Sequence, residues 1–226
     1  MNPIALLALA AVAFLASHTA SSTPLRGVLV KSLGERGFLG AYTLASFATL
    51  GWMIYAFVHA PFVPLWQTSA LKHWPLLIMP FSLILLACGL VTRNPTAVLQ
   101  ERALQSAEPA RGILRVTRHP LMWSIGLWAL VHLLARGDAA SLIFFGAFAL
   151  LALGGTRLID MRKAKTLGED WKRFAGATSN LPFLAIIQGR NHFKFAEIGW
   201  SRIALGLVLY CAVLWLHPHL FSVRPY

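Results

Sequence analysis

The chain has 226 residues, of which 57% are hydrophobic and only 12% carry a charged side chain. Soluble domains carry about 25% charged residues, whereas here the apolar residues form long blocks with a mean hydropathy of +0.63. This composition excludes an ordinary soluble domain and predicts an all-α, polytopic helical membrane protein with a net charge of +12.

Six runs without Asp, Glu, Lys or Arg predict about six transmembrane helices. A spanning helix needs about 20 residues, within a range of about 17–25. Most of the runs approach that length, and tilt or flanking polar residues accommodate the shorter ones. The runs are 3–17, 38–58, 75–92, 119–135, 139–156 and 203–216. We treat residues 1–226 as one transmembrane domain.

The first run ends in small residues, as a signal peptide does, but it lacks the basic segment that should precede the apolar stretch. The first cations, Arg26 and Lys31, follow the run instead. We therefore expect an uncleaved first span whose N-terminus faces outward.

The distribution of cations predicts the orientation of the spans. From the first connection to the tail after the last span, the numbers of Lys and Arg are three, one, five, one, nine and one. Because cytoplasmic loops carry the excess of these residues, we expect the odd connections inside and both termini outside. The basic inner face favours contact with anionic membrane lipids, and nothing separate indicates nucleic-acid binding.

The inner connections predict helices on the inner face of the membrane. Asn94-Pro95 is typical of a helix start, and residues 96–107 then form an amphipathic pattern suited to the membrane surface. The last inner connection predicts a helix that continues from span five, breaks at Gly168 and resumes. Gly137 predicts a tight outer turn, and residues 179–183 predict a turn back to the membrane.

The motif RGILRVTRHP at 111–120 is a dense group of cations directly before span four. Pro120 fixes the helix start, and the free N–H groups of the first turn favour an anion. Arg115, Arg118 and His119 add donors, so we expect a carboxylate, a phosphate or a porphyrin propionate there. Helix initiation and anchoring at the inner surface explain the same residues without a ligand, and both interpretations stand.

The histidines near the spans are candidate ligands. His132 follows His119 by 13 residues, which is about 20 Å and roughly 220° along a helix, so these two cannot bind one metal together. By depth, His18 pairs with His119 on the inside and His59 with His132 on the outside. A lone histidine at a membrane interface is equally consistent with a snorkelling side chain.

The stretch RGILRVTRHPLMWSIGLWALVHLLARGD at 111–138 resembles the signature of the NnrU family of membrane proteins. Similar segments extend over essentially the whole chain: SHTASSTPLRGVLVKSLGERGF at 17–38, RNPTAV at 93–98, GEDWKRFAGATSNLPFLAIIQGR at 168–190 and HPHLF at 217–221. The family is named for its association with nitrite and nitric oxide reduction. The resemblance therefore implies a multi-pass protein of a bacterial inner membrane and, as one alternative, a non-enzymatic factor for denitrification.

The family is also similar to the zeta-carotene isomerases of plants and cyanobacteria. That similarity implies a haem b cofactor held by two histidines and a cis double bond of a lipid-soluble polyene as the substrate. Carried over by residue, it implies His18 and His132 as the metal ligands and His119 as a further, catalytic histidine. Arg115 and Arg118 are then expected to contribute to cofactor binding.

The predicted topology conflicts with this pair of ligands. It places His18 at the inner end of span one and His132 toward the outer end of span four. Two axial ligands need nitrogens about 4 Å apart, since metal–imidazole bonds are about 2 Å long. Either span one runs deeper, or span four starts before His119, or the ligand assignment does not transfer.

A weaker resemblance links the chain to the isoprenylcysteine carboxyl methyltransferases, through the R-H-P motif and the late LGEDW segment. It implies S-adenosylmethionine in a pocket facing the cytoplasm, with Arg118 and His119 on the carboxylate of the cofactor. The usual tyrosine two positions after the proline is Met122 here, and the expected acidic pair is reduced to Asp160. Methyl transfer is thus an alternative to isomerisation.

Overall fold

The structure is a computed structural model that describes residues 2–23 and 25–225. Within these residues, five helices are long and apolar enough to cross a membrane: Pro3–Ser22, Leu25–Val58, Trp74–Val91, Ala139–Ala177 and Trp200–Phe221. The remaining predicted run lies on the shorter apolar helix Pro120–Arg136. The prediction of an all-α, polytopic membrane protein is confirmed, whereas the orientation of its termini stays a prediction.

The α-helices are numbered in chain order. They are α1 (Pro3–Thr19), α2 (Leu25–Val58), α3 (Trp74–Val91), α4 (Ile113–Val116), α5 (Pro120–Arg136), α6 (Ala139–Ala149), α7 (Gly155–Ala177), α8 (Leu184–Ile187), α9 (Phe195–Ile198) and α10 (Trp200–Phe221). Short 3-10 helices cover Ala20–Ser22 and Glu101–Gln105, and a π-helix, Leu150–Gly154, joins α6 to α7.

Polar residues and prolines ahead of the apolar runs set several helix starts. Asn2 Oδ1 accepts a hydrogen bond from Ile4 N at 2.9 Å, next to a proline at the first helical position of α1. Asp138 Oδ1 accepts from Ser141 N at 3.0 Å and begins α6 in the same way. These bonds satisfy N–H groups that lack a partner within the helix.

The chain divides into two compact units, which are described separately. The first unit comprises Met1–Lys72 and Ala129–Leu151. In it α1 packs against α2 and α6, and the side chains of Leu7, Phe14 and Met53 are buried. The interpretation of residues 1–226 as one transmembrane domain stays a prediction.

The second unit comprises His73–Trp128 and Ala152–Tyr226. Here α10 lies so close to α3 that a Cβ atom added at Gly206 would be 2.6 Å from Ile84 Cα. The hydroxyl of Tyr210 donates to Leu76 O at 3.2 Å across the same pair of helices. A hydrophobic cluster that includes Leu114, Trp171 and Phe174 completes the unit.

The prediction of an amphipathic helix at residues 96–107 is wrong, because only the 3-10 helix Glu101–Gln105 forms there. Asn94 Oδ1 accepts from Thr96 N at 2.9 Å, while Asn94 Nδ2 and Thr96 Oγ1 both donate to Arg118 O, at 3.0 and 3.1 Å. Leu99 also has a positive φ of 60°. Side chains that satisfy the backbone in this way compete with a helix.

Other local predictions agree with the structure, with one change at α2. The predicted break of α7 occurs at Gly168, where φ is 54°, and Gly137, with φ of 65°, forms the predicted turn between α5 and α6, whose position outside the membrane stays a prediction. The helix α2 begins earlier than expected, because residues 25–37 are helical rather than a loop. Its non-helical point is Gly34, with φ of 70° and ψ of 168°.

Candidate functional site

Asp160 joins the two polar residues that directly precede α5. Its Oδ1 accepts from His119 Nε2 at 2.7 Å and from Arg118 Nε at 2.9 Å, and its Oδ2 accepts from Arg118 Nη2 at 2.5 Å. The His119 side chain is fully buried, and those of Arg118 and Asp160 are 14% and 17% exposed. We call these three residues the Asp160 cluster. Hydrogen bonds to a charged carboxylate are short and strong, so the cluster is well fixed.

The protonation state of His119 follows from its surroundings. Burial lowers the pKa of His119, and the hydrogen bond to Asp160 acts against that shift. The imidazole is therefore neutral near pH 7. Because a carboxylate only accepts hydrogen bonds, Nε2 carries the hydrogen and Nδ1 carries the lone pair. That Nδ1 is buried and has no hydrogen-bond partner among residues 2–23 and 25–225.

Short contacts hold the motif in place ahead of α5. Thr117 Oγ1 accepts from His119 N at 3.2 Å and donates to Asn180 O at 2.6 Å. Arg118 N donates to Ser179 O at 3.0 Å. These bonds tie the start of α5 to the turn after α7, which is why a residue on α7 can reach the motif.

A second group of carboxylates holds Arg115, whose side chain is 6% exposed. Its guanidinium donates to Glu197 through Nε at 2.8 Å and Nη2 at 3.0 Å, and to Asn191 Oδ1 at 2.5 Å. Nη2 also pairs with Glu108, and Gly112 N donates to Glu197 Oε2 at 3.0 Å. The Arg115 guanidinium lowers the pKa of Glu197 to about 2.

The anion expected at this motif is supplied by the chain itself. The sequence predicted that Arg115, Arg118 and His119 bind the acidic edge of a ligand. In the structure Glu197 and Asp160 occupy those donors. The two arginines therefore position the segment around α4 and the start of α5, and their contribution to cofactor binding stays a prediction.

His18 lies near the end of α1 in the first unit. Its Nδ1 is 2.8 Å from Phe14 O and 3.2 Å from Ser17 Oγ. Since a carbonyl oxygen only accepts, Nδ1 carries the hydrogen and Nε2 keeps its lone pair. Metal-binding histidines are commonly oriented by such a bond from their other nitrogen, so His18 has the tautomer that an Nε2 ligand requires.

A continuous series of aromatic contacts connects His18 to His132 within the first unit. The series runs through Phe14, Phe148, Phe144 and Phe145, with successive ring centroids 5.0, 5.2 and 5.2 Å apart. The ring of His18 is 4.2 Å from the first of these rings, and that of His132 is 5.4 Å from the last. We call these four phenylalanines the aromatic series.

The aromatic series bears on the depth of the two histidines. Phe145 and Phe148 are three residues apart on α6, a rise of about 4.5 Å, and His18 lies about 6 Å beyond Phe14 on α1. The ring contacts between helices, 5.0 Å from Phe14 to Phe148 and 5.4 Å from Phe145 to His132, add offsets of their own, so the series does not bring the two imidazoles to the separation that two ligands of one iron require.

These residues fit a haem group in their chemistry. Two imidazoles can serve as ligands of haem iron, and the bond from His18 Nδ1 to Phe14 O leaves the Nε2 lone pair of His18 for such a role. The rings of the aromatic series supply apolar surroundings. The described residues contain no group of three or more His, Cys, Asp or Glu side chains that could hold a metal ion. The assignment of His18 and His132 as the metal ligands stays a prediction.

Sequence reasoning missed the carboxylates that hold Arg115. Glu197 lies 82 residues away from it in the chain and Glu108 lies seven away. Asp160 entered only through the methyltransferase resemblance. One signal was present: the last inner connection contains nine cations and few acidic residues, which makes each carboxylate there a candidate for an ion pair.

Comparisons with known proteins agree with the sequence resemblance. A family model described as NnrU protein matches residues 6–225. The chloroplastic 15-cis-zeta-carotene isomerase of Arabidopsis thaliana is 39% identical over 85 residues, covering 35% of this chain and 22% of that protein. The chloroplastic 15-cis-zeta-carotene isomerase of Zea mays is 31% identical over 100 residues, covering 42% and 27%. No solved structure matches significantly.

The extent of these matches differs. The regions shared with the two curated isomerases span about a quarter of the length of those proteins. The family model instead covers nearly the whole chain, including the motif at 111–120 and both histidines at the ends of the aromatic series. The chain belongs to the NnrU family of membrane proteins.

Proposed function

We propose that this protein isomerises a cis double bond of a lipid-soluble polyene, with haem b as its cofactor, in a bacterial inner membrane. The observation that carries the proposal is the aromatic series between His18 and His132. It occurs in a membrane protein that is similar to two 15-cis-zeta-carotene isomerases. A polyene dissolves in the bilayer and reaches such a site from the lipid.

His18 and His132 would hold the haem iron, with His18 binding through Nε2. Bound haem supplies an iron centre that can act on the electrons of a double bond. The rings of the aromatic series exclude water and offer flat apolar surfaces to a conjugated chain. His119 is the further histidine to which the similarity to the isomerases assigns a catalytic role.

An absorbance spectrum of the protein purified in mild detergent tests the cofactor. We expect a Soret band that shifts on reduction. The variants His18→Ala and His132→Ala should each lose most of the band, because each would remove one of the two histidines proposed to hold the iron.

The variant His59→Ala is a matched control for the variant His18→Ala. His59 Nδ1 is 2.8 Å from Tyr55 O, and its ring is 4.2 Å from that of Tyr55, the same local arrangement as His18 with Phe14. His59 is exposed near the end of α2. The variant His59→Ala should therefore keep the full Soret band, and an equal loss in all three variants would sink the ligand assignment.

Activity is tested separately from haem binding. The protein is expressed in membranes that contain a cis polyene, and the cis and trans isomers are separated and measured. We expect conversion by the unmodified protein and His59→Ala, and loss of conversion in His132→Ala. A haem-loaded protein without conversion would retain the cofactor proposal and refute the isomerase activity.

Two alternatives appear as other outcomes of these experiments. Methyl transfer would need Arg118 and His119 to hold the carboxylate of S-adenosylmethionine, but Asp160 already places a carboxylate 2.5–2.9 Å from them. A colourless protein that binds S-adenosylmethionine would nevertheless favour that activity. A colourless protein that binds neither cofactor would favour a non-enzymatic role in denitrification.

A further inference from the structure

Two buried polar atoms of the second unit, Thr92 Oγ1 and His119 Nδ1, have no hydrogen-bond partner among the described residues. Buried polar atoms are nearly always hydrogen-bonded, so each exception requires an explanation such as a bound water or ion. The positions of these two atoms can be compared through the contacts around α3 and α5.

These contacts run in opposite directions along the two helices. The paired positions, in order along α3, are Ser82 with Ser124 (2.9 Å between Oγ and O), Gly89 with Leu121 (2.8 Å from an added Cβ to N) and Asn94 with Arg118 (3.0 Å between Nδ2 and O). In the segment that includes the end of α3, Thr92 lies between Gly89 and Asn94. In the segment that includes the start of α5, His119 lies between Arg118 and Leu121. Both residues therefore belong to one short interval of this crossing.

The chemistry of the two atoms restricts what can lie between them. His119 Nε2 gives its hydrogen to Asp160 Oδ1, so Nδ1 of the neutral imidazole can only accept. The Thr92 hydroxyl can donate or accept. A molecule that satisfies both must donate to Nδ1 and exchange a hydrogen bond with the hydroxyl. A metal ion lacks sufficient ligands, because the described residues hold no cluster of three suitable side chains.

We propose that a water molecule binds between Thr92 Oγ1 and His119 Nδ1. A buried water makes two to four hydrogen bonds, and these two side chains supply the first two. The water extends the Asp160 cluster into a hydrogen-bonded row from Asp160 through His119 to Thr92. It also fixes His119 in a single tautomer from both of its nitrogens. The site requires neither haem nor a polyene.

The variant Thr92→Val tests this site because it keeps the shape of the side chain and removes the hydroxyl. Removing a hydroxyl that truly lacks a partner leaves stability unchanged or raises it. Removing one that binds the water should lower the apparent Tm by about 2–4 °C. In protein labelled with ¹⁵N-histidine, the Nδ1 resonance of His119 should also shift, whereas Thr92→Ser should leave it in place.

Ser46 supplies a matched control, since its Oγ in the first unit is also buried without a described partner. The variant Ser46→Ala should leave the His119 resonance in place, because Ser46 belongs to the first unit and not to the crossing of α3 and α5. The resonance decides the outcome: an unchanged Nδ1 signal in Thr92→Val overturns the proposal, whatever the Tm, because a change in packing alone can alter stability. If Thr92→Val does not fold, Thr92→Ala takes its place in the same measurement.

Discussion

At the scale of single residues, a buried cation and its acidic partner give this protein a specific response to acid. The ordinary pKa of a glutamate side chain is 4.5, and Arg115 lowers that of Glu197 to about 2. A carboxyl whose pKa is lower in the folded state contributes stability that is complete above its ordinary pKa. That contribution is lost as the pH falls through the folded value, so the relevant window lies between pH 4.5 and about 2.

We expect the apparent Tm of the protein in detergent to fall as the pH decreases across this window. The Tm of the variant Glu197→Gln should fall much less over the same range, because glutamine does not titrate. At pH 7 the variant should already be less stable by about 1–3 kcal/mol, since the buried Arg115 loses one of its two carboxylate partners and keeps only Glu108. Glu169→Gln is the control, because the Glu169–Lys172 pair is exposed and such pairs contribute little. An equally steep profile in Glu197→Gln would contradict the assignment.

The residues of the site were only partly predictable. Arg118 and His119 are conspicuous in the sequence because they stand directly before Pro120 and an apolar run. Their partner Asp160 is about 40 residues away, and Glu197 is 82 residues from Arg115. Pairing over such distances depends on how α7 and the segment before α10 pack, and hydropathy does not determine that packing.

At the scale of helices, hydropathy predicted the spans because each apolar run must be covered by lipid or by another helix. The failure at residues 96–107 has a different cause. Asn94 and Thr96 use their side chains to bond the backbone of Arg118, a partner that no local pattern reveals. The aromatic series was likewise unpredictable, because its contacts join α1, α5 and α6.

The packing of α10 on α3 depends on the absence of a side chain at Gly206. An added Cβ would lie 2.6 Å from Ile84 Cα and 2.8 Å from Ile84 N, and small residues permit such close approach in membranes. Because backbone atoms cannot move aside as a flexible side chain can, Gly206→Ala should destabilise the protein by about 1–3 kcal/mol. The measurement is the apparent Tm in detergent.

Gly51 is the control for this effect. It lies within α2, and an added Cβ there meets nothing within 4 Å. Gly51→Ala should stabilise the protein by roughly 0.5–1 kcal/mol, because alanine loses less backbone entropy than glycine in a helix. Two alanine variants with the same Tm would indicate that α10 shifts away from α3 without cost.

At the scale of the whole molecule, the alternation of cations predicts which connections face the cytoplasm. The connection that contains Gln67 carries a single lysine, whereas the one that contains Thr166 carries nine cations. Both residues are exposed. The near-uniform apolar composition gave no sign of the two compact units, because two of their boundaries, after Trp128 and after Leu151, fall within continuous helical segments.

Labelling of single cysteines tests this orientation. In a background with Cys88 and Cys211 replaced by alanine, the variant Gln67→Cys should react with a membrane-impermeant maleimide in right-side-out vesicles. The variant Thr166→Cys should react only in inverted vesicles or after permeabilisation, because we expect its connection on the inner face. The opposite pattern would reverse the predicted topology, and labelling of both in intact vesicles would exclude a single orientation.

The separation of the ion pairs along the chain also sets an order of assembly during synthesis. Translation adds about 5–20 residues per second, so Asp160 follows His119 after roughly 2–8 s and Glu197 follows Arg115 after roughly 4–16 s. Until then Arg118 and His119 lack Asp160, and Arg115 has only Glu108 as an acidic partner. We therefore expect a nascent chain that stalls before residue 197 to complete the Asp160 cluster around His119 while Arg115 is held by Glu108 alone.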